Sequence, residues 1–180
     1  MEKISDFSSL CWVFTLENLY ETHRRCRCSK QHKREVVEFE INLNRNLLDI
    51  QKSIFNKTFC VDKYRTFKIF EPKERVIESL SYKDRIVQNC LCNYLLRMRF
   101  EHMFVYTNGA CRIGKGTDFC RNKLKEYLVD YYKKYGVDGY VLKCDISKYF
   151  ASIDYNILEN RLSKYFDKDT MWLLRKFIRV

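Results

Sequence analysis

The sequence predicts an α+β protein, and three observations carry that expectation. Apolar residues recur at helical spacing both early and late in the chain. A β-rich stretch, residues 64–81, is interrupted by the only proline, Pro72. One short apolar segment, residues 140–146, runs into an aspartate, Asp145, and turns at once. Helices beside a hairpin and a lone strand make an α+β arrangement.

Taken in order, residues 5–58 read as two helical pieces separated by the basic segment 23–34. In the second piece Phe39, Leu43, Leu47, Ile50 and Ile54 fall on one stripe, as a helix facing a core requires. Ser5 and Asp6 are candidate caps for the first piece, and Asn56 with Thr58 suits the end of the second. Phe67, Ile69 and Phe70, then Val76, Ile77 and Leu80, predict a β-hairpin whose tip carries Pro72, Lys73 and Glu74. Ile86, Cys90, Leu91, Tyr94, Leu95 and Met98 predict a buried helix over 84–102. Gly109, Gly114 and Gly116 mark a loop over 107–116. Thr117 is a candidate N-cap for a helix to about Tyr135, which Gly136 and Gly139 close. A strand over 140–146, a helix over 155–165 and another from about Lys168 complete the chain.

A chain of 180 residues suffices for one domain or for one lobe of something larger, and 46% hydrophobic residues with 16% aromatic residues exclude global disorder. Thirty-four Lys and Arg against 23 acids leave a net charge of +11, the excess a nucleic-acid binder needs to displace counterions from phosphates. Nine cysteines, an odd number, with no signal peptide read as reduced thiols, and no apolar run is long enough to cross a bilayer. A soluble cytoplasmic protein is expected. His23, Cys26, Cys28 and His32 are zinc-type ligands, but their spacing matches no zinc module.

In an extended segment Val141, Lys143 and Asp145 share one face and Leu142, Cys144 and Ile146 the other. The apolar face is expected to be buried against helices, which turns Asp145 toward the polar side. There it can bind a hard divalent cation, with the Ile146 carbonyl as a second oxygen ligand. A strand-end aspartate that merely caps a turn is the competing reading.

Four segments, the one that carries Asp145 among them, together weigh against that competitor. Phe67, Ile69, Glu71, Pro72, Lys73, Arg75 and Ile77 form one; Ser81, Asp84, Arg85, Ile86, Val87 and Gln88 another. Gly109, Arg112, Gly114, Lys115, Gly116 and Thr117 form a third, and Lys143, Asp145, Ile146, Tyr149, Phe150 and Ile153 the fourth. In this order and at these intervals they resemble the reverse transcriptase family, in its bacterial retron-like and group II intron-like branches. Phe39, Asn42, Leu43, Asn46, Leu47 and Ile50 are similar to the helix that precedes the fingers in those enzymes. The likeness spans about residues 35–160.

The resemblance implies a fold and a chemistry. Residues 1–35 would be an N-terminal helical extension, 36–136 the fingers, and 137–180 the first strand and helices of a truncated palm. The parent enzyme would be an RNA-directed DNA polymerase that binds an RNA template, a DNA primer and a dNTP with Mg²⁺, or Mn²⁺ in its place. Asp145 would be the first catalytic metal ligand, with Ile146 beside it. Lys73 and Arg75 would clamp the triphosphate, lysine as a movable point charge and arginine as a fork. The backbone near Lys148 and Tyr149 would lie along the same triphosphate, and Phe150 would pack under the deoxyribose. Phe150 as plain core, and Lys73 with Arg75 as a solvated hairpin tip, are the alternatives. Asp84 and Arg85 read as a structural pair, the first at a helix N-terminus and the second bridging fingers to palm. Arg112 holds the loop or touches the template backbone, and Lys115 is a surface residue that could meet phosphate.

Tyr155 stands where many relatives have histidine, and Ala110 with Cys111 replaces the more usual aromatic before Arg112. No Tyr-x-Asp-Asp occurs in these 180 residues, and the nearest acidic cluster, Asp167 and Asp169, reads as inter-helix surface. The chain by itself is therefore expected to be inactive and to self-associate as a homodimer through uncovered apolar surface. A nucleic-acid-binding module without catalysis, and a template-independent defence-type polymerase, are the alternative functions.

Overall fold

The computed structural model describes residues 9–70 and 72–179; the cap assignments to Ser5 and Asp6 lie outside them. The chain divides into two units, one made of residues up to Arg99 and from Asp154 on, the other of Phe100–Ile153. Helices and one antiparallel hairpin make it a mixed α and β protein.

The first unit begins with α1 (Ser9–Val13) and α2 (Leu16–Arg27). Thr15 caps α2, its hydroxyl accepting from the Asn18 amide at 3.2 Å, and the Asn18 side chain donates back to the carbonyls of Trp12 and Val13. The predicted basic separator is thus shorter than its charge pattern suggests, because α2 runs through His23 to Arg27. Next come α3 (Arg34–Ile41) and α4 (Leu43–Phe55), broken at Asn42, whose φ of −123° leaves the helical region. Asn46 secures that corner by donating to the Phe39 carbonyl at 2.8 Å. The predicted stripe faces the core: Leu47, Ile50 and Ile54 are buried, with Phe39 and Leu43 packed against them. Asn56 ends α4 as expected.

The hairpin pairs β1 (Arg65–Ile69) with β2 (Arg75–Ser79), setting Phe67 opposite Ile77 and Ile69 opposite Arg75. Every residue of β1 is exposed, so the hairpin projects from the unit and packs neither face into the core. Then α5 (Tyr82–Leu91) supplies the centre of the core with Ile86, Val87 and Cys90, all at 0% exposure. The helix predicted over 84–102 is not regular: residues 92–96 form a π-helical turn, followed by α6 (Arg97–Phe100) and a 3₁₀ turn over 101–103. A π turn adds a residue to the repeat and rotates the next turn of helix off the stripe, which is why Met98, expected inside, is exposed. The second unit contains one long helix, α7 (Thr117–Tyr135). Gly116, with no side chain to accept from the first-turn amides, occupies its N-cap in place of Thr117, and Gly136 ends it at φ +73°. None of its residues is buried.

Back in the first unit, α8 (Tyr155–Leu162) and α9 (Lys168–Ile178) close the core. Asp154 caps α8, and Met171, Leu173 and Leu174 of α9 join the cluster of α1, α2, α4 and α5. Asp167 caps α9 and accepts from the Ser9 amide as well, and Asp169 pairs with Lys57 at 2.6 Å. The Cys90 thiol donates to the Val13 carbonyl, and burial pushes its pKa up to about 12. No helix among the described residues is long and apolar enough to cross a membrane.

The strand expected over 140–146 does not form. Among the described residues the one sheet is β1 with β2, and residues 140–146 belong to no regular element. A lone segment has no neighbouring strand to pair its backbone, and side-chain pattern cannot supply one. The apolar face is not covered either: Leu142 is 88% and Ile146 65% exposed, and Cys144 is exposed too.

Candidate nucleotide and metal site

The residues assigned to nucleotide and metal binding fall on both units. Lys73 and Arg75 stand at the hairpin tip and the start of β2, exposed and without a hydrogen-bonding or ionic partner among the described residues. Their tip neighbour Glu74 is instead held by Lys68 at 2.6 Å. The register explains the presentation: Arg75 closes the last pair of the ladder, opposite Ile69, on the face that carries Phe67 and Ile77.

Asp145, Ile146, Lys148, Tyr149 and Phe150 follow one another in the second unit, at the end of the segment 140–146. Asp145 is exposed, and its carboxylate has no partner among the described residues. Lys148 has φ +48°, a left-handed conformation rare for a side-chain-bearing residue, and it reverses the chain into a 3₁₀ turn at Phe150–Ser152. Ser152 braces the reversal, its amide donating to the Lys148 carbonyl at 3.0 Å and its hydroxyl to the Tyr149 carbonyl at 2.8 Å. Tyr149 and Phe150 meet edge to face at 5.4 Å between centroids, with Phe150 83% exposed. Phe150 is accordingly not core. Asp145 thus precedes a braced turn and does not stand at the end of a sheet strand, as the sequence suggests.

A single exposed carboxylate supplies hard oxygen donors of the kind Mg²⁺ takes, but among the described residues no group of three or more metal-ligating side chains assembles. His23, in contrast, has both ring nitrogens engaged inside the first unit, with the Tyr82 hydroxyl at 3.0 Å and Glu40 at 3.2 Å, so ligation there would break both contacts.

Arg112 organises the loop before α7. Its side chain is only 10% exposed, pairs with Glu101 at 2.7 Å and donates to the carbonyls of Val105 and Asn108. Of the two roles left open for it, these contacts serve the first, holding the loop. Lys115 donates to the Tyr106 carbonyl and lies 3.9 Å from the Tyr106 ring centroid and 4.8 Å from that of Phe119. Desolvation, with Arg112 adding repulsion, lowers its pKa.

Asp84 is fully buried in the first turn of α5, where Ser81 is the cap; Asp84 accepts from the Ser81 hydroxyl at 2.9 Å and the Asp62 amide at 2.8 Å. Arg85 ties α5 to Glu35 of α3, and among the described residues this is its ion pair. Sequence reading missed Glu35 and Glu101, because partners 50 and 11 residues away leave no local signature. Neither a scan against protein-family models nor a search of curated proteins returns a match to this chain.

Proposed function

We propose that this chain is the fingers and first palm segment of a cytoplasmic RNA-directed DNA polymerase, which binds an RNA template, a DNA primer and a dNTP with Mg²⁺. One observation carries the reading. Asp145 is left unpartnered just before a left-handed turn and an exposed Tyr149–Phe150 pair, in a chain whose hairpin presents Lys73 and Arg75 equally unpartnered. Charged side chains kept free of internal partners are available for an outside one.

Phosphoryl transfer asks a protein for position and charge more than for covalent chemistry. Asp145, with the Ile146 carbonyl, would hold the cation that activates a primer hydroxyl and neutralises the departing phosphates. Arg75 can grip phosphate oxygens in pairs and Lys73 one at a time. The exposed Phe150 ring offers a flat apolar surface for a sugar. A two-metal mechanism needs a second acidic cluster, and Asp167 and Asp169 do not supply it, being committed to a helix cap and to Lys57.

The test is primer extension on an RNA template, for the 180-residue chain and for the longest reading frame that contains it. The short chain is expected to bind nucleic acid without extending the primer. In the longer protein Asp145→Asn should abolish extension while leaving template binding intact. Full extension by the Asp145→Asn protein would remove the metal assignment, and with it the polymerase reading.

A further inference from the structure

The helical unit contains a cationic recess that uses none of the residues assigned to nucleotide or metal binding. Its volume is about 210 Å³, and its lining includes Arg25, Lys30, Arg85, Asn89 and Asn93 together with two cysteines and Tyr82. No carboxylate is among the lining residues. Two local features build it. On α5 and the π turn after it, Arg85, Asn89 and Asn93 recur at steps of four, a polar stripe along a segment whose other faces are core. At the end of α2 the chain reverses through Ser29, whose φ is +59°, and Lys30 comes directly after it.

The charge there exceeds what the fold requires. Between residues 24 and 34 lie six cations, Arg24, Arg25, Arg27, Lys30, Lys33 and Arg34, and no acid. The C-terminal end of a helix carries a partial charge of roughly half an electron, which one cation satisfies. Glu21 neutralises part of the excess at Arg24 and Arg25, Glu40 pairs with Arg27, Glu38 with Arg34 and Glu35 with Arg85. Lys30 has no acidic partner among the described residues. Cys26 does not act as a local anion, because burial raises its pKa although Arg85 and Lys30 pull the other way.

We propose that this recess binds a phosphate group, contributed by a nucleic-acid backbone or by a free phosphate. A phosphate supplies several acceptors and negative charge where the protein offers cations and amide donors. Nothing in this inference depends on the polymerase reading.

The test compares Arg25→Ala/Lys30→Ala with Arg45→Ala/Lys168→Ala, an equal charge removal at exposed positions elsewhere on the same unit. Fluorescence anisotropy of a labelled single-stranded RNA is followed across a salt series, and ³¹P line broadening is followed for inorganic phosphate. Circular dichroism verifies that both variants fold, as the exposure of all four side chains leads one to expect. For a backbone phosphate, the recess variant binds the RNA about tenfold more weakly than the control and its log–log salt slope falls by about 1. For a free phosphate, the RNA affinities agree but the broadening disappears in the recess variant alone. Two variants indistinguishable with both probes would overturn the proposal, whatever primer extension shows.

Discussion

His23 and Tyr82 meet inside the helical unit, Nδ1 to hydroxyl at 3.0 Å with the rings nearly perpendicular. On its other side His23 faces Glu40, which also holds Arg27 at 2.8 Å. Burial lowers the His23 pKa, opposed by Glu40 and reinforced by Arg27, while burial pushes Tyr82 up to about 12. The unfolded chain therefore takes up a proton at His23 more readily than the folded one. Stability from this group is complete above the unfolded value of about 6.5 and is lost as pH falls through it toward the lower folded value. Thermal denaturation between pH 5 and 8 should show the melting temperature dropping on the acid side. In His23→Gln, which keeps hydrogen-bonding capacity but cannot titrate, that limb should flatten; an unchanged limb would place the titration elsewhere.

Asp167 works with the opposite sign. Burial resists its ionisation, but hydrogen bonds from Thr170 and from Ser9 outweigh that and hold the carboxyl below the usual range. Its contribution is present above the unfolded value near 4 and disappears as pH falls through the lower folded one. Asp167→Ala removes an N-cap, about 1 kcal/mol, or roughly 2–4 °C in melting temperature for a chain of this size. That deficit should be visible at pH 7 and shrink as pH falls below about 4. A deficit that persists in acid would mean packing, not the cap, was lost.

The face of α7 that carries Leu124, Leu128, Tyr131 and Tyr135 is exposed along its whole length, at 56, 50, 43 and 55%. Apolar patches of this kind favour association. Sedimentation equilibrium should show mass above that of the monomer at high concentration, and Leu124→Lys/Leu128→Glu should restore the monomer. Monomer throughout in the unaltered chain would refute this.

Which parts of the fold were legible depends on the range of the interactions that make them. The stripe of α4, the hairpin with Pro72 at its tip and the stop at Gly136 rest on neighbours a few residues apart, and each forms where the pattern places it. The segment 140–146 has an equally good local pattern and fails, because a strand needs a partner that its own residues do not encode. Met98 fails for a subtler reason, one extra residue in a helical turn. Arg112 was legible as a loop residue by its spacing from three glycines, whereas its partner Glu101 was not.

The hairpin tip offers the sharpest separation of point charge from geometry. Lys73 and Arg75 both lack internal partners among the described residues, so substituting them should leave the fold intact. If Arg75 grips phosphate oxygens in pairs, its loss removes charge-assisted hydrogen bonds of about 1.5–3 kcal/mol, roughly a tenfold to hundredfold loss of triphosphate affinity. Arg75→Lys should recover little of that, since an ammonium cannot reproduce the fork, whereas Lys73→Arg should be tolerated. Arg65→Ala, at the far end of the same ladder and 3.7 Å from Glu35, is the control that changes hairpin charge away from the tip. Titration of dNTP into each variant of the longer reading frame, in the presence of Mg²⁺, reads all four. Equal losses for Arg65→Ala and Arg75→Ala would reduce the tip to general electrostatics, and full rescue by Arg75→Lys would remove the bidentate grip.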